Sequence, residues 1–179
     1  MLTMRTRRIE NEWLLLEALQ RLNPGRIHPT RAGERVSLEV DGFSALRYAP
    51  VAHQSMGEAV TSRHRLRIDF PRYYPTMPIE VYLDAPVFHP NVNPDNGFVC
   101  LWTRHRVQTT LEQTIAQLQR VLAWAMLNLD AGHVVQPEAL DWYRRPGIRD
   151  RLPLPFTPMT PVQSHAWDFG HRPARRRLS

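Results

Sequence analysis

The sequence predicts an α+β domain: an N-terminal helix, a four-stranded antiparallel meander, a long irregular segment, a long C-terminal helix and a short final one. Three observations carry this. Apolar residues recur at three- and four-residue spacing near the start and again from Thr110 onward. Between them, apolar and polar residues alternate in short runs. After Arg145 the composition shifts toward proline and arginine.

The first helix is expected over Arg5 to Leu22, with Ile9, Trp13, Leu16 and Leu15, Leu19, Leu22 in register and Asn23-Pro24-Gly25 ending it. Its first turn carries Arg5, Arg7 and Arg8, the wrong sign for a helix N-terminus. Either these arginines precede the helix, or they face a partner, or they form an ordinary solvated face. Arg35 to Val40 alternates as a half-buried strand, and Asp41-Gly42 reads as a hairpin turn into a second strand, Phe43 to Tyr48. Pro50 to Thr61 reads as a loop. Thr61 to Phe70 is a third strand, with Leu66, Ile68 and Phe70 inward and Arg63, Arg65 and Arg67 outward; Ile79 to Leu83 is a fourth. Short links between strands favour an antiparallel meander. Asp84 to Thr110 has no period and is long enough to suggest function. Thr110 to Leu129 is the strongest helix, and Pro137 to Arg144 a short one with proline in its first turn. Residues 146–179 read as an extended or disordered tail outside a 1–145 domain.

At 179 residues the chain has room for one domain with a true core. No apolar run reaches the roughly 20 residues of a membrane span, and Glu10, Asn11 and Glu12 break any leader-like segment, so a cytoplasmic protein without membrane partners is expected. The net charge is +6, and all 23 basic residues are arginine. Without lysine, only the N-terminal amine is a free primary amine. Cys100 is the sole cysteine, which excludes an internal disulfide and a multi-cysteine metal site; neither metal nor cofactor is expected. A lone cysteine is most often a small core hydrophobe, so its context decides.

That context is ordered. Phe70-Pro71-Arg72-Tyr73-Tyr74-Pro75-Thr76-Met77-Pro78 follows a strand; then come Phe88-His89-Pro90-Asn91 and, past Asn96, Gly97-Phe98-Val99-Cys100-Leu101. In this order and spacing the segments resemble the ubiquitin-conjugating enzymes, with their Tyr-Pro-x-x-Pro turn, His-Pro-Asn motif and Gly-x-Ile-Cys-Leu active-site motif. The resemblance covers roughly residues 5–145. It implies a ubiquitin-conjugating fold and a transferase that takes a ubiquitin-like protein from an activating enzyme as a thioester on Cys100, then passes it to an amine on a target. It also implies that Asn91 either donates to the tetrahedral oxyanion or braces the loop beside Cys100. His89 and Pro90 take structural roles, as do Tyr74 and Pro75, and Arg5, Arg7 and Arg8 face the activating enzyme. The family often has an acidic residue after the long helix that orients or deprotonates the incoming amine; His133 or Asp130 stands there, or His133 is an ordinary loop histidine. Arg104, His105 and Arg106 either raise the thiolate fraction of Cys100 or are simply solvated.

The chain also departs from the pattern. The His89-to-Cys100 spacing is one residue longer than is common, Trp102 replaces a small or acidic residue, and the later tryptophan and the Asp-Pro-x-x-Pro run are missing. These departures resemble a divergent branch found in bacterial antiphage conjugation operons. Three other readings compete: a non-catalytic binding module of the same fold, a basic nucleic-acid-binding protein using Arg63, Arg65, Arg67 and the tail, and a hydrolase pairing Cys100 with His133.

Overall fold

A computed structural model describes residues 3–47, 59–130 and 132–162 of the chain. Helix α1 (Met4–Leu22) starts one residue before the expected point, because the Thr3 side chain accepts the Thr6 N–H and caps it. It buries Ile9, Leu16 and Leu19 on the predicted stripe, while Leu22 is exposed. The stripe also buries a carboxylate, Glu12, which is 1% exposed.

The main sheet has four strands, β1 (Ile27–Ala32), β2 (Arg35–Val40), β5 (His64–Asp69) and β6 (Glu80–Leu83), antiparallel and in the order β1-β2-β5-β6. The count of four agrees with the sequence, but the members differ. The hairpin partner of β2 is β1, joined by the two-residue turn Gly33-Glu34. Asp41-Gly42 is instead the point where the chain leaves the sheet, to form β3 (Ala45–Leu46) and β4 (Val60–Thr61) as a separate two-stranded ribbon. The expected second strand is thus reduced to Ala45 and Leu46, with Tyr48 and most of the following loop outside the described residues. Across the main sheet Val36 faces Ile68, Leu38 faces Leu66, and Leu66 faces Leu83. One face therefore enters the core, and the arginine row faces out as expected. On that outer face Arg65 pairs with Glu39 at 2.7 Å and Arg67 with Asp69 at 2.9 Å, and Arg63 just before β5 pairs with Asp41 at 2.8 Å.

Helix α2 (Leu111–Leu122) is held at its start by a capping box between Thr110 and Gln113. It buries Leu111, Ile115, Leu118 and Leu122, each contributing about 1.5–3 kcal/mol by burial. The helix stops seven residues short of the predicted Leu129. Trp124 takes a left-handed backbone (φ 63°) and turns inward against Phe88, Trp142 and Tyr143, forming a second small core. That burial offsets a conformation that costs a bulky residue about 1–2 kcal/mol. Beyond it Leu129 is exposed. Helix α3 (Pro137–Tyr143) matches its prediction, with Arg144 as its cap.

Past residue 145 the chain is largely extended, with one 3-10 turn at Arg149–Arg151, yet it stays on the domain. Leu154 and Met159 are buried. The Leu154 N–H donates to the Ala123 carbonyl at 2.8 Å, Gln119 Nε2 donates to the Thr157 carbonyl at 2.9 Å, and the Val162 N–H donates to Glu112 Oε1 at 2.6 Å. This strap runs antiparallel to α2 along its length. It also pairs with Asn23 through Thr160, at 2.8 and 2.9 Å. Trp167, Phe169 and the terminal arginines lie outside the described residues.

Candidate active site

Cys100 is fastened to the sheet edge through its backbone. The segment 98–100 lies between β6 and residues 91–93. On one side Val99 N–H donates to the Val81 carbonyl and Leu83 N–H to the Gly97 carbonyl, both at 2.9 Å. On the other, Asn93 N–H donates to the Phe98 carbonyl at 2.9 Å and Cys100 N–H to the Asn91 carbonyl at 2.8 Å. The connecting turn depends on Gly97, whose φ is +73°; a Cβ there would sit 2.0 Å from the Leu83 carbonyl oxygen.

The Asn91 side chain, 7% exposed, closes the arrangement. Its Nδ2 donates to the Cys100 carbonyl at 2.7 Å, and its Oδ1 accepts the Asn128 N–H at 2.9 Å. These two hydrogen bonds tie the cysteine loop to the loop after α2. His89 is fully buried. Its Nδ1 accepts the Asn91 N–H at 3.0 Å, so the proton of the neutral ring is on Nε2. Burial drives its pKa down to about 3, so it stays neutral near pH 7. The ring meets Trp124 edge-on at 4.6 Å. Behind the motif, the Pro90 carbonyl accepts N–H groups of Val135 and Gln136, and Gln136 Oε1 accepts the His89 N–H at 2.8 Å.

Tyr74, followed by a cis peptide to Pro75, is also buried. Its hydroxyl donates to Glu12 Oε1 at 2.8 Å. The same carboxylate accepts Arg8 Nε at 2.7 Å and, through Oε2, the Leu111 N–H at 2.6 Å, so a residue of α1 caps the start of α2. The Pro75 carbonyl accepts from the His105 ring at 2.9 Å, which joins the two loops flanking the site.

The three arginines of α1 divide. Arg5 forks onto Glu34 at 2.6 Å and donates to the Phe70 carbonyl at 2.9 Å. Arg8 serves Glu12, Tyr74 and the carbonyls of Gln108 and Thr109. Both are tied into the domain, and only Arg7 is exposed without an ion pair among the described residues.

The Cys100 side chain is half-buried and opens into a cleft of about 200 Å³ that Asn91, Leu101, Trp102, Gln117, Met126 and Asn128 also line. Burial pushes the thiol pKa up, and a backbone hydrogen bond from Trp102 opposes it. Arg104 and Arg106 are exposed, and burial favours the neutral thiol over the thiolate. Asp130 and His133 pair with each other at 2.7 Å and are both exposed. The Gly132 N–H and His133 hold the Asp130 carboxyl below its ordinary pKa. Neither residue lines the Cys100 cleft; their loop reaches it through Asn128, whose Nδ2 donates to the His133 carbonyl at 3.3 Å. Asn128, Gln136, Glu12 and Gln117, which donates to the Leu101 carbonyl at 3.2 Å, had no signal in the sequence pattern. Among the described residues no group of three or more His, Cys, Asp or Glu is placed to hold a metal ion. Nor is any helix there long and apolar enough to cross a membrane.

Comparison with known proteins gives a consistent result. Residues 61–136 match the family model of the ubiquitin-conjugating enzymes. Among solved structures, a protein assigned as a ubiquitin conjugating enzyme from Trypanosoma cruzi superposes with a TM-score of 0.58 at 24% identity, covering 81% of this chain and 93% of that one. Another so assigned, from Plasmodium yoelii, gives 0.53 at 16% identity, covering 82% and 87%. None of the curated protein sequences matches. The chain has the ubiquitin-conjugating fold, and the segment that matches the family model holds Asn91, Cys100 and all of α2.

Proposed function

We propose that this chain is a conjugating transferase that carries a ubiquitin-like protein as a thioester on Cys100. The observation that supports it best is the placement of the sole thiol. Cys100 opens into a cleft, and Asn91 clamps its backbone from both sides of the peptide.

In the first step Cys100 loses its proton and Sγ attacks the carbonyl carbon of the thioester on the activating enzyme. The tetrahedral intermediate collapses, expelling that enzyme's thiolate, which takes up a proton. In the second, a target amine attacks the Cys100 thioester, an amide forms, Cys100 leaves as thiolate and the amine nitrogen sheds a proton. Asn91 keeps the sulfur in register through both steps. The Asp130–His133 pair, with the carboxylate orienting the ring, is suited to accept the amine's proton from the solvent side. Arg7 is the α1 arginine left to meet the activating enzyme. Because burial raises the thiol pKa, loading should quicken as pH rises through the thiol range.

The raised thiol pKa is also what a non-catalytic module of the same fold would show, and that reading predicts no loading. Arg63, Arg65 and Arg67 are ion-paired, which counts against a nucleic-acid-binding face. A cytoplasmic role in bacterial antiphage conjugation rests on the departures from the family pattern, and adjacent genes for an activating enzyme and a glycine-ended small protein would support it.

The experiment is reconstitution with the activating enzyme and ubiquitin-like protein encoded beside the gene, plus ATP. Wild type should give an adduct that thiol reductant removes. Cys100→Ser should give one that resists reductant, and Cys100→Ala none. An adduct of wild-type yield in Cys100→Ala would place the chemistry elsewhere.

A further inference from the structure

Beside the Cys100 cleft lies a larger groove, about 740 Å³, between the 102–109 segment and the exposed face of α2. The two depressions share Trp102, Arg104 and Gln117, so one runs into the other. Three arginines line the groove: Arg104 and Arg106 from the loop and Arg120 from α2. All three are exposed, and none has an ion pair among the described residues. No carboxylate lines the groove. On the sheet, by contrast, each outward arginine of the 63–67 row has an acidic neighbour.

Three like charges around one channel repel each other, and a ligand that brings carboxylates relieves that repulsion. Ala116 presents only a methyl group at the groove wall, while Gln113 and Gln117 offer amides suited to an extended backbone. A polypeptide whose C-terminal carbonyl reaches Sγ must lay its preceding residues on surface that adjoins the cleft. This groove is such a surface.

The geometry points to an acidic tail on the carried protein: the residues leading to its reactive C-terminus bear Asp or Glu side chains, which Arg104, Arg106 and Arg120 read in the groove. This deepens the conjugating reading and rests on it for the identity of the occupant.

Two fluorescein-labelled peptides of equal length, both ending in Gly-Gly, test it by anisotropy on the full chain. One carries interspersed Asp and Glu, the other Arg and Lys. The acidic peptide should bind at least about tenfold more tightly at low salt, as three exposed charge pairs allow. Combined Arg104→Glu, Arg106→Glu and Arg120→Glu should erase that preference. Reversing three exposed arginines elsewhere, Arg21→Glu, Arg72→Glu and Arg145→Glu, makes the same change in net charge and should keep it. Equal binding of the two peptides, or a preference that survives the groove reversal, overturns the proposal. So does tighter binding of a fluorescein-labelled single-stranded oligonucleotide of the same charge as the acidic peptide. The same peptides made as C-terminal thioesters separate the two ideas. If both load Cys100 at equal rates by mass spectrometry, the groove proposal fails and the conjugating reading stands. If neither loads while the anisotropy preference holds, the conjugating reading fails and the groove's specificity stands.

Discussion

Replacing Asn91 by alanine strands two polar groups at once. The Cys100 carbonyl loses a donor at 2.7 Å and the Asn128 N–H loses an acceptor at 2.9 Å, both beside a side chain that is 7% exposed. A buried group left without its partner costs about 1–3 kcal/mol. Asn91→Ala should therefore lose about 2–5 kcal/mol of stability, which for a chain of this size lowers Tm by roughly 5–15 °C. Asn91→Asp sharpens the test. Its carboxyl can still accept from Asn128, but at neutral pH it turns an acceptor toward the Cys100 carbonyl. Protonation restores a donor, so the folded state raises the pKa of the substituted carboxyl above its unfolded value. The stability that the proton confers is complete at low pH and is lost as pH rises through that folded pKa. The assay is urea denaturation of wild type and both variants across acidic and neutral pH. If Asn91→Ala stays within about 0.5 kcal/mol of wild type, a difference typical of an ordinary surface change, the brace is not structural and the reasoning fails.

Gly97→Ala places a methyl group against the Leu83 backbone and forces a side chain into the left-handed region, so it should cost at least about 2 kcal/mol in the urea midpoint and slow Cys100 loading. Burial holds the His89 pKa far below its ordinary 6.5, so stability is complete above that value and falls as pH drops toward about 3. Going from about pH 7 to about pH 5 should cost about 2 kcal/mol in urea denaturation, and His89→Gln should flatten this slope. Deleting residues 146–179 should destabilise the domain through loss of Leu154 and Met159, and Leu154→Ala alone should cost about 2–4 kcal/mol by thermal melting. A deletion with an unchanged melting curve would show that the strap adds nothing to the core.

The strands legible in the sequence were those with two or three buried side chains in alternation: β2, β5 and β6. Strand β1 was not, because it lies at the sheet edge and buries only Ile27, with Pro29 in its middle. Periodicity overran the end of α2 because Ala125 and Leu129 continue the spacing, whereas the competing burial of Trp124 is a tertiary effect. At the site, ordered motifs singled out Cys100 and Asn91 for attention, but the second partner of the Asn91 side chain, Asn128, comes from a loop 37 residues away, which no local pattern encodes. Arg5 and Arg8 looked like free surface charge, since the buried Glu12 and the carbonyls they serve become neighbours only on folding.

The strap along α2 also bears on the order in which the protein can be made. Thr160 pairs with Asn23, 137 positions earlier in the chain, and Gln119 and Ala123 take Thr157 and Leu154 of the strap as partners. When α3 emerges from the ribosome, the side of α2 that the strap covers is still bare. Native closure must wait until the segment through Val162 has cleared the exit tunnel. A stall or a premature stop in that stretch would leave a chain that holds Asn91 and Cys100 but has its core open to aggregation.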